Sequence, residues 1–162
     1  MIEERYELAL DRIRLMQTED TVGEPYKDYF KKMAEFVLML DELRTELLDG
    51  RYQKLELDEL RKWNRRLYQD VLPGQYEKSY ANPDYACKML GKESGQILGM
   101  LYAELRGAVV YVFEGKTEYL AILYELLIEV YNQFEEEPDP KAVRDTFYWY
   151  ASDYCDVFLA DR

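Results

Sequence analysis

The 162-residue chain contains no histidine. Its absence removes the side chain that most often serves as general base, as metal ligand and as partner of a Ser or Cys nucleophile. A helical di-iron site built on Glu-x-x-His pairs goes with it. Cysteine is scarce too: Cys87 and Cys155 stand far apart and offer neither a paired-cysteine metal site nor a disulfide framework. Glycine-rich phosphate loops and nucleophile elbows are missing. Basic charge is the minority: 21 Lys and Arg face 33 Asp and Glu, a net charge of −12. Such a surface repels phosphate backbones and anionic lipid, so neither nucleic acid nor membrane is an expected partner. No long apolar run is uninterrupted either. Glu104 and Arg106 break the stretch 97–113, and Glu125 and Glu129 break 119–134, which argues against a transmembrane span. The start Met1-Ile2-Glu3-Glu4-Arg5 lacks the basic and apolar regions of a secretion signal, and a cytoplasmic location is expected.

What the chain does contain is a globular composition, 48% hydrophobic and 33% charged, with 16 Tyr beside 6 Phe and 2 Trp. Tyrosine supplies apolar area with one polar tip, which suits core edges and interfaces. The length fits one domain, 1–162. Apolar residues recur at helical spacing throughout. Tyr6, Leu10, Ile13 and Met16 mark a first helix; Phe30, Met33, Val37, Leu40 and Leu47 mark a second that ends at Gly50. Leu60, Trp63, Leu67 and Val71 predict a third, over about 58–71, stopped by Pro73-Gly74 and followed by a loop carrying Tyr76 and Tyr80. Asn82-Pro83-Asp84 and Asp139-Pro140 each combine a capping side chain with a proline in the first helical turn. Between them lie a stretch apolar nearly all round, about 92–114, and an amphipathic one, 117–134. The pattern predicts an all-α fold, a bundle of six or seven helices around a central buried helix at about 92–114.

Four constellations invite a functional reading. Gly91, Gly95, Gly99, Ala103 and Gly107 fall four residues apart along one ridge. Each glycine costs a helix about 1 kcal/mol against alanine, so a backbone approaching closely is the expected compensation. Inside the chain this means tight helix packing; outside it, a subunit interface. Gly95, Gly99 and Gly107 are therefore candidate interface residues, together with Tyr76 and Tyr80 on the loop. Glu104 projects between Ile97, Leu101, Ala108 and Tyr111 and is the candidate buried acid, either bonded to a Tyr hydroxyl or an Arg, or serving a ligand. Arg106 projects to the opposite side. Glu118, Glu125 and Glu129 share a face that would suit a hard cation or simply meet solvent, and Asp153 with Asp156 invite the same two readings. Arg61-Lys62-Trp63-Asn64-Arg65-Arg66 has the ingredients of a nucleic-acid footprint, but acids flank it and Trp63 is better placed in the core.

Three further stretches carry a resemblance: Glu77-Lys78-Ser79-Tyr80-Ala81-Asn82-Pro83, Leu101-Tyr102-Ala103-Glu104-Leu105-Arg106-Gly107 and Ser152-Asp153-Tyr154-Cys155-Asp156-Val157. With them the chain resembles, from Arg5-Tyr6-Glu7-Leu8-Ala9 onward, the N-terminal helical region of aminopeptidase T-like leucyl aminopeptidases of anaerobic Firmicutes. The resemblance implies a non-catalytic accessory domain of a cytosolic metallo-aminopeptidase, serving assembly or substrate access. Metal ligands and catalysis would belong to a downstream domain, so no catalytic residue, metal residue or cofactor is expected in this chain. Its expected partner is that catalytic domain or another copy of itself. A stand-alone helical protein–protein interaction module is the alternative, and a ligand-binding bundle centred on Glu104 a third.

Overall fold

The computed structural model describes residues 2–50, 57–66, 78, 80, 82–135 and 138–158. Among them the chain forms seven helices and no strand: α1 (Ile2–Met16), α2 (Tyr26–Leu48), α3 (Leu57–Arg66), α4 (Pro83–Leu90), α5 (Lys92–Phe113), α6 (Glu118–Gln133) and α7 (Pro140–Phe158). The fold is an all-α helical bundle. The second half of the expected third helix, with Leu67 and Val71, lies outside the described residues, as do Tyr76 and the chain's last four residues.

Local chemistry sets the helix ends. Asn82 Oδ1 accepts a hydrogen bond from the Asp84 amide at 3.1 Å with Pro83 opening α4, and Asp139 Oδ1 takes the Lys141 amide at 3.0 Å at the start of α7. Both satisfy an amide that the first helical turn leaves without a partner. α5 closes on Gly115 at φ +77°, which lets the Gly115 amide reach the Val112 carbonyl at 3.0 Å and the Lys116 amide reach that of Tyr111 at 2.8 Å. This double bond pattern needs the left-handed conformation that glycine adopts without steric cost.

The helices pack through the expected stripes. Tyr6, Leu10, Ile13 and Met16 of α1 are buried along α6, and Phe30, Met33, Val37 and Leu40 of α2 are buried with them. α4 folds back on α5, α2 and α3 pack on α5, and α7 lies chiefly on α6 through the buried Val143 and Phe147. Helix α5 holds the central position, packing against α2, α3, α4, α6 and α7. Helix α6 is largely enclosed as well: Tyr119 through Tyr124, Leu126, Leu127, Val130 and Tyr131 are all buried. Helix α5 buries Ile97, Leu98, Leu101, Leu105, Ala108 and Val112 but leaves Gln96, Ala103, Glu104, Arg106 and Val110 exposed. Its apolar composition therefore overstates its burial, because small and β-branched residues occupy its open side. By length and composition α5 could cross a membrane; half of that stretch is buried against the rest of the bundle, as in a core helix.

Tyrosine hydroxyls tie the helices together. Tyr29 of α2 donates to the Leu98 carbonyl of α5, Tyr124 of α6 to the Val37 carbonyl of α2 at 3.3 Å, and Tyr26 of α2 to the Leu90 carbonyl of α4 at 3.3 Å. Tyr6 of α1 donates to the Asp41 carboxylate of α2, while the Arg44 guanidinium lies 4.1 Å above the Tyr6 ring. Burial raises Tyr29 and Tyr124 well above the usual tyrosine range and is the largest cause at Tyr6, where the bond to Asp41 adds to it. Tyr150 on α7 is pushed up to about 12, first by burial and then by the Glu129 and Glu125 carboxylates. A tyrosine harder to ionise folded than unfolded stabilises fully below its ordinary value of 10.0, and that contribution disappears as pH rises through the folded value. Urea melts followed by circular dichroism should thus show stability falling from about pH 10 to 12, with tyrosinate absorbance appearing together with unfolding. Tyr150→Phe should flatten part of that decline.

Candidate interaction groove

The glycine ridge divides into two parts with different roles. Gly91 joins α4 to α5 at φ +85° and ψ 151°, a region open essentially to glycine alone. Gly95 sits under α4, where an added Cβ would lie 2.5 Å from the Cys87 amide nitrogen and 2.6 Å from the Ala86 carbonyl carbon. Those are backbone atoms and cannot turn aside. Gly95, expected as an interface residue, is thus used inside the chain. Beyond it, Gly99 and Gly107 have nothing among the described residues within 4 Å of an added Cβ, and Ala103 between them is exposed. This lower ridge floors a groove of about 500 Å³, open to solvent, between α3 and α5. Leu60 and Arg61 of α3 form one wall, Arg106 and Val110 of α5 line the other side, and Pro83 lies at one end. Trp63, buried in the core, anchors α3 there, so the stretch 61–66 contributes its tryptophan to packing.

Glu104 is not the buried acid expected of it. Its side chain is exposed and accepts a hydrogen bond from the Tyr119 hydroxyl at 2.5 Å. The apolar residues around it on the helical projection are indeed turned inward, but Glu104 lies beside the start of α6, where its carboxylate meets water while holding a buried tyrosine. The Tyr119 ring packs edge-on against Tyr111 with centroids 4.6 Å apart. Glu104 does not line this groove. Arg106, on another side of α5, lines the groove.

Tyr80 is half-buried, its ring 5.9 Å from Tyr29 and 5.5 Å from Tyr85, so it extends the aromatic core instead of projecting from a loop. Burial raises its pKa above the usual range. Tyr76 lies outside the described residues. The acidic face of α6 meets a cation from its own chain. The Arg5 guanidinium donates to both Glu125 oxygens, at 2.9 and 2.5 Å, and approaches Asp153 at 3.5 Å. These contacts, the Glu125 hydrogen bond foremost, raise the proton affinity of Arg5. They join α1, α6 and α7. Glu118 is exposed, the Asp156 side chain is not described, and no group of three His, Cys, Asp or Glu side chains converges on a possible metal position among the described residues. Cys87 is a free thiol, half-buried, donating to the Lys92 carbonyl at 3.5 Å.

Compared with protein-family models, curated proteins and solved structures, the chain matches none. The groove and the glycines must be read on their own chemistry.

Single alanines separate the two parts of the ridge. Gly95→Ala should lower stability by about 1–3 kcal/mol, since its Cβ would be forced against backbone. Gly99→Ala and Gly107→Ala should each raise it by up to about 1 kcal/mol, because they remove a helix penalty at no steric cost. Thermal melts of the three variants check both signs.

Proposed function

We propose that this chain is a non-catalytic helical docking domain, and that its α3–α5 groove seats the catalytic part of a metal-dependent leucyl aminopeptidase. One observation carries the reading. Gly99 and Gly107 bear the helix cost of glycine while touching nothing among the described residues that a Cβ would displace. Glycine on an open helix face lets a second backbone approach closely, and the groove provides the room. The resemblance to aminopeptidase T-like N-terminal regions supports the choice of partner: Tyr102, Ala103, Arg106 and Gly107, in one of the three stretches that carry it, line this groove. The role is positional, holding a catalytic domain or bounding access to it. Peptide hydrolysis and the metal it needs belong to that partner.

The same groove would serve a stand-alone interaction module, and one experiment separates the two readings. The chain is titrated calorimetrically into an aminopeptidase T-type enzyme stripped of its own N-terminal helical region. Micromolar or tighter binding that Gly99→Leu and Gly107→Leu abolish, with melting temperatures retained, is the expected result. Absence of binding, or binding indifferent to both leucines, would refute the proposal; self-association blocked by the same leucines would instead support the stand-alone module.

A further inference from the structure

On another side of α5 from the glycine floor, a second groove of about 560 Å³ runs between α5 and α7. Lys92, Gln96 and Met100 line it from α5, Arg144 and Tyr148 from α7, and the buried Ile97 lies at its base. Met100 is half-buried, and Tyr148 is 57% exposed. Both walls run in the same order, a cation first and an apolar side chain two turns on. On α5 the order is Lys92, then Met100. On α7 it is Lys141, one turn ahead of Arg144, then Tyr148 a heptad later on the same side. The groove thus has a cationic end and an apolar end, about 12 Å apart at roughly 1.5 Å of helical rise per residue.

The charge at the cationic end is not all used within the chain. Glu93 is answered by Arg144 at 3.2 Å, and Asp139 turns its Oδ1 to the Lys141 amide. Lys92 and Lys141 are exposed, and neither ammonium forms an ion pair among the described residues. Both remain available to carboxylates of a partner. Midway between the two ends, the exposed Gln96 offers a donor and an acceptor that a peptide backbone can use and a hydrocarbon chain cannot. The distance between the ends corresponds to three or four residues of extended chain, at about 3.3 Å each. A groove of this volume seats a few side chains, as small-ligand clefts do. We infer that the α5–α7 groove binds a short extended segment of a partner protein. That segment carries carboxylates for Lys92 and Lys141, and about three residues away an aromatic or large aliphatic side chain for Ile97, Met100 and Tyr148. The site is independent of the groove between α3 and α5 and of its occupant.

The probes are two fluorescent, end-capped peptides, Glu-Glu-Gly-Ser-Phe-Leu and the same sequence reversed, because the groove can be entered in either direction. Anisotropy titration should show one of them binding with a Kd of about 100 µM or tighter. Lys92→Gln/Lys141→Gln should weaken it about tenfold, and Tyr148→Ser severalfold. Removing the same charge elsewhere, in Lys62→Gln/Lys78→Gln, should change it less than about twofold. All these positions are exposed, so melting temperatures should be retained. Charge reversal gives a gain of binding to check: Lys92→Glu/Lys141→Glu should lose the Glu peptide and bind its Lys counterpart. In the unaltered protein, amide shifts induced by the peptide should fall within 92–100 and 141–148. Equal weakening by both lysine pairs, binding indifferent to Tyr148→Ser, shifts centred elsewhere, or no binding of either peptide would overturn the proposal. So would decanoate binding more tightly than either peptide, which would make the occupant a free amphiphilic acid.

Discussion

A buried hydroxyl left without a partner costs a folded protein roughly as much as several exposed ion pairs contribute, and this bundle buries many tyrosines. Each such ring brings apolar area that helps fill the core and a polar tip that must find an acceptor. Tyr29, Tyr124 and Tyr26 reach carbonyls on other helices, Tyr6 reaches Asp41, Tyr119 reaches Glu104, and Tyr131 shares a hydrogen bond with Thr21. Each bond fixes a helix register as well as satisfying an oxygen, because a slide by one residue would remove the acceptor. Hydrophobic contact alone would tolerate such slippage. The relative placement of α1, α2, α5 and α6 therefore rests on tyrosine tips.

This constraint also explains why α6 is enclosed. α6 supplies Tyr119, Tyr124 and Tyr131, all buried, and its neighbours arrange themselves to meet those groups. α1 and α7 pack on α6, and α5 is covered by α2, α3, α4, α6 and α7 on part of its circumference. α4 is short and Gly95 lets it seat closely. The ridge beyond it stays open and forms the groove floor. The open face is thus a consequence of where the core sits, and the glycines within it are what make it unusual.

Much of this was legible in the sequence. The stripes of α1, α2 and α6 are buried as their periodicity requires, and the Asn82-Pro83 and Asp139-Pro140 signals sit at the observed helix starts. The exposure of Glu104 and of one face of α5 is not legible there, because composition and projection reveal what a face could bury but not whether a neighbour covers it. The Arg5 clamp was invisible because 120 positions separate it from Glu125, and neither residue has a local pattern that announces the other. The ridge is visible as a repeat, yet only three-dimensional packing distinguishes Gly95, pressed against backbone, from Gly99 and Gly107, where an added Cβ would meet nothing among the described residues.

Residue-resolved solvent accessibility along α5, measured by nuclear magnetic resonance with a soluble paramagnetic agent, tests the central claim most directly. The account predicts a helical period, with Gly99, Ala103, Arg106 and Val110 strongly relaxed and Leu98, Leu101, Leu105, Ala108 and Val112 protected. Uniform protection from residue 97 to 112 would mean that this face of α5 is covered and that no open groove exists.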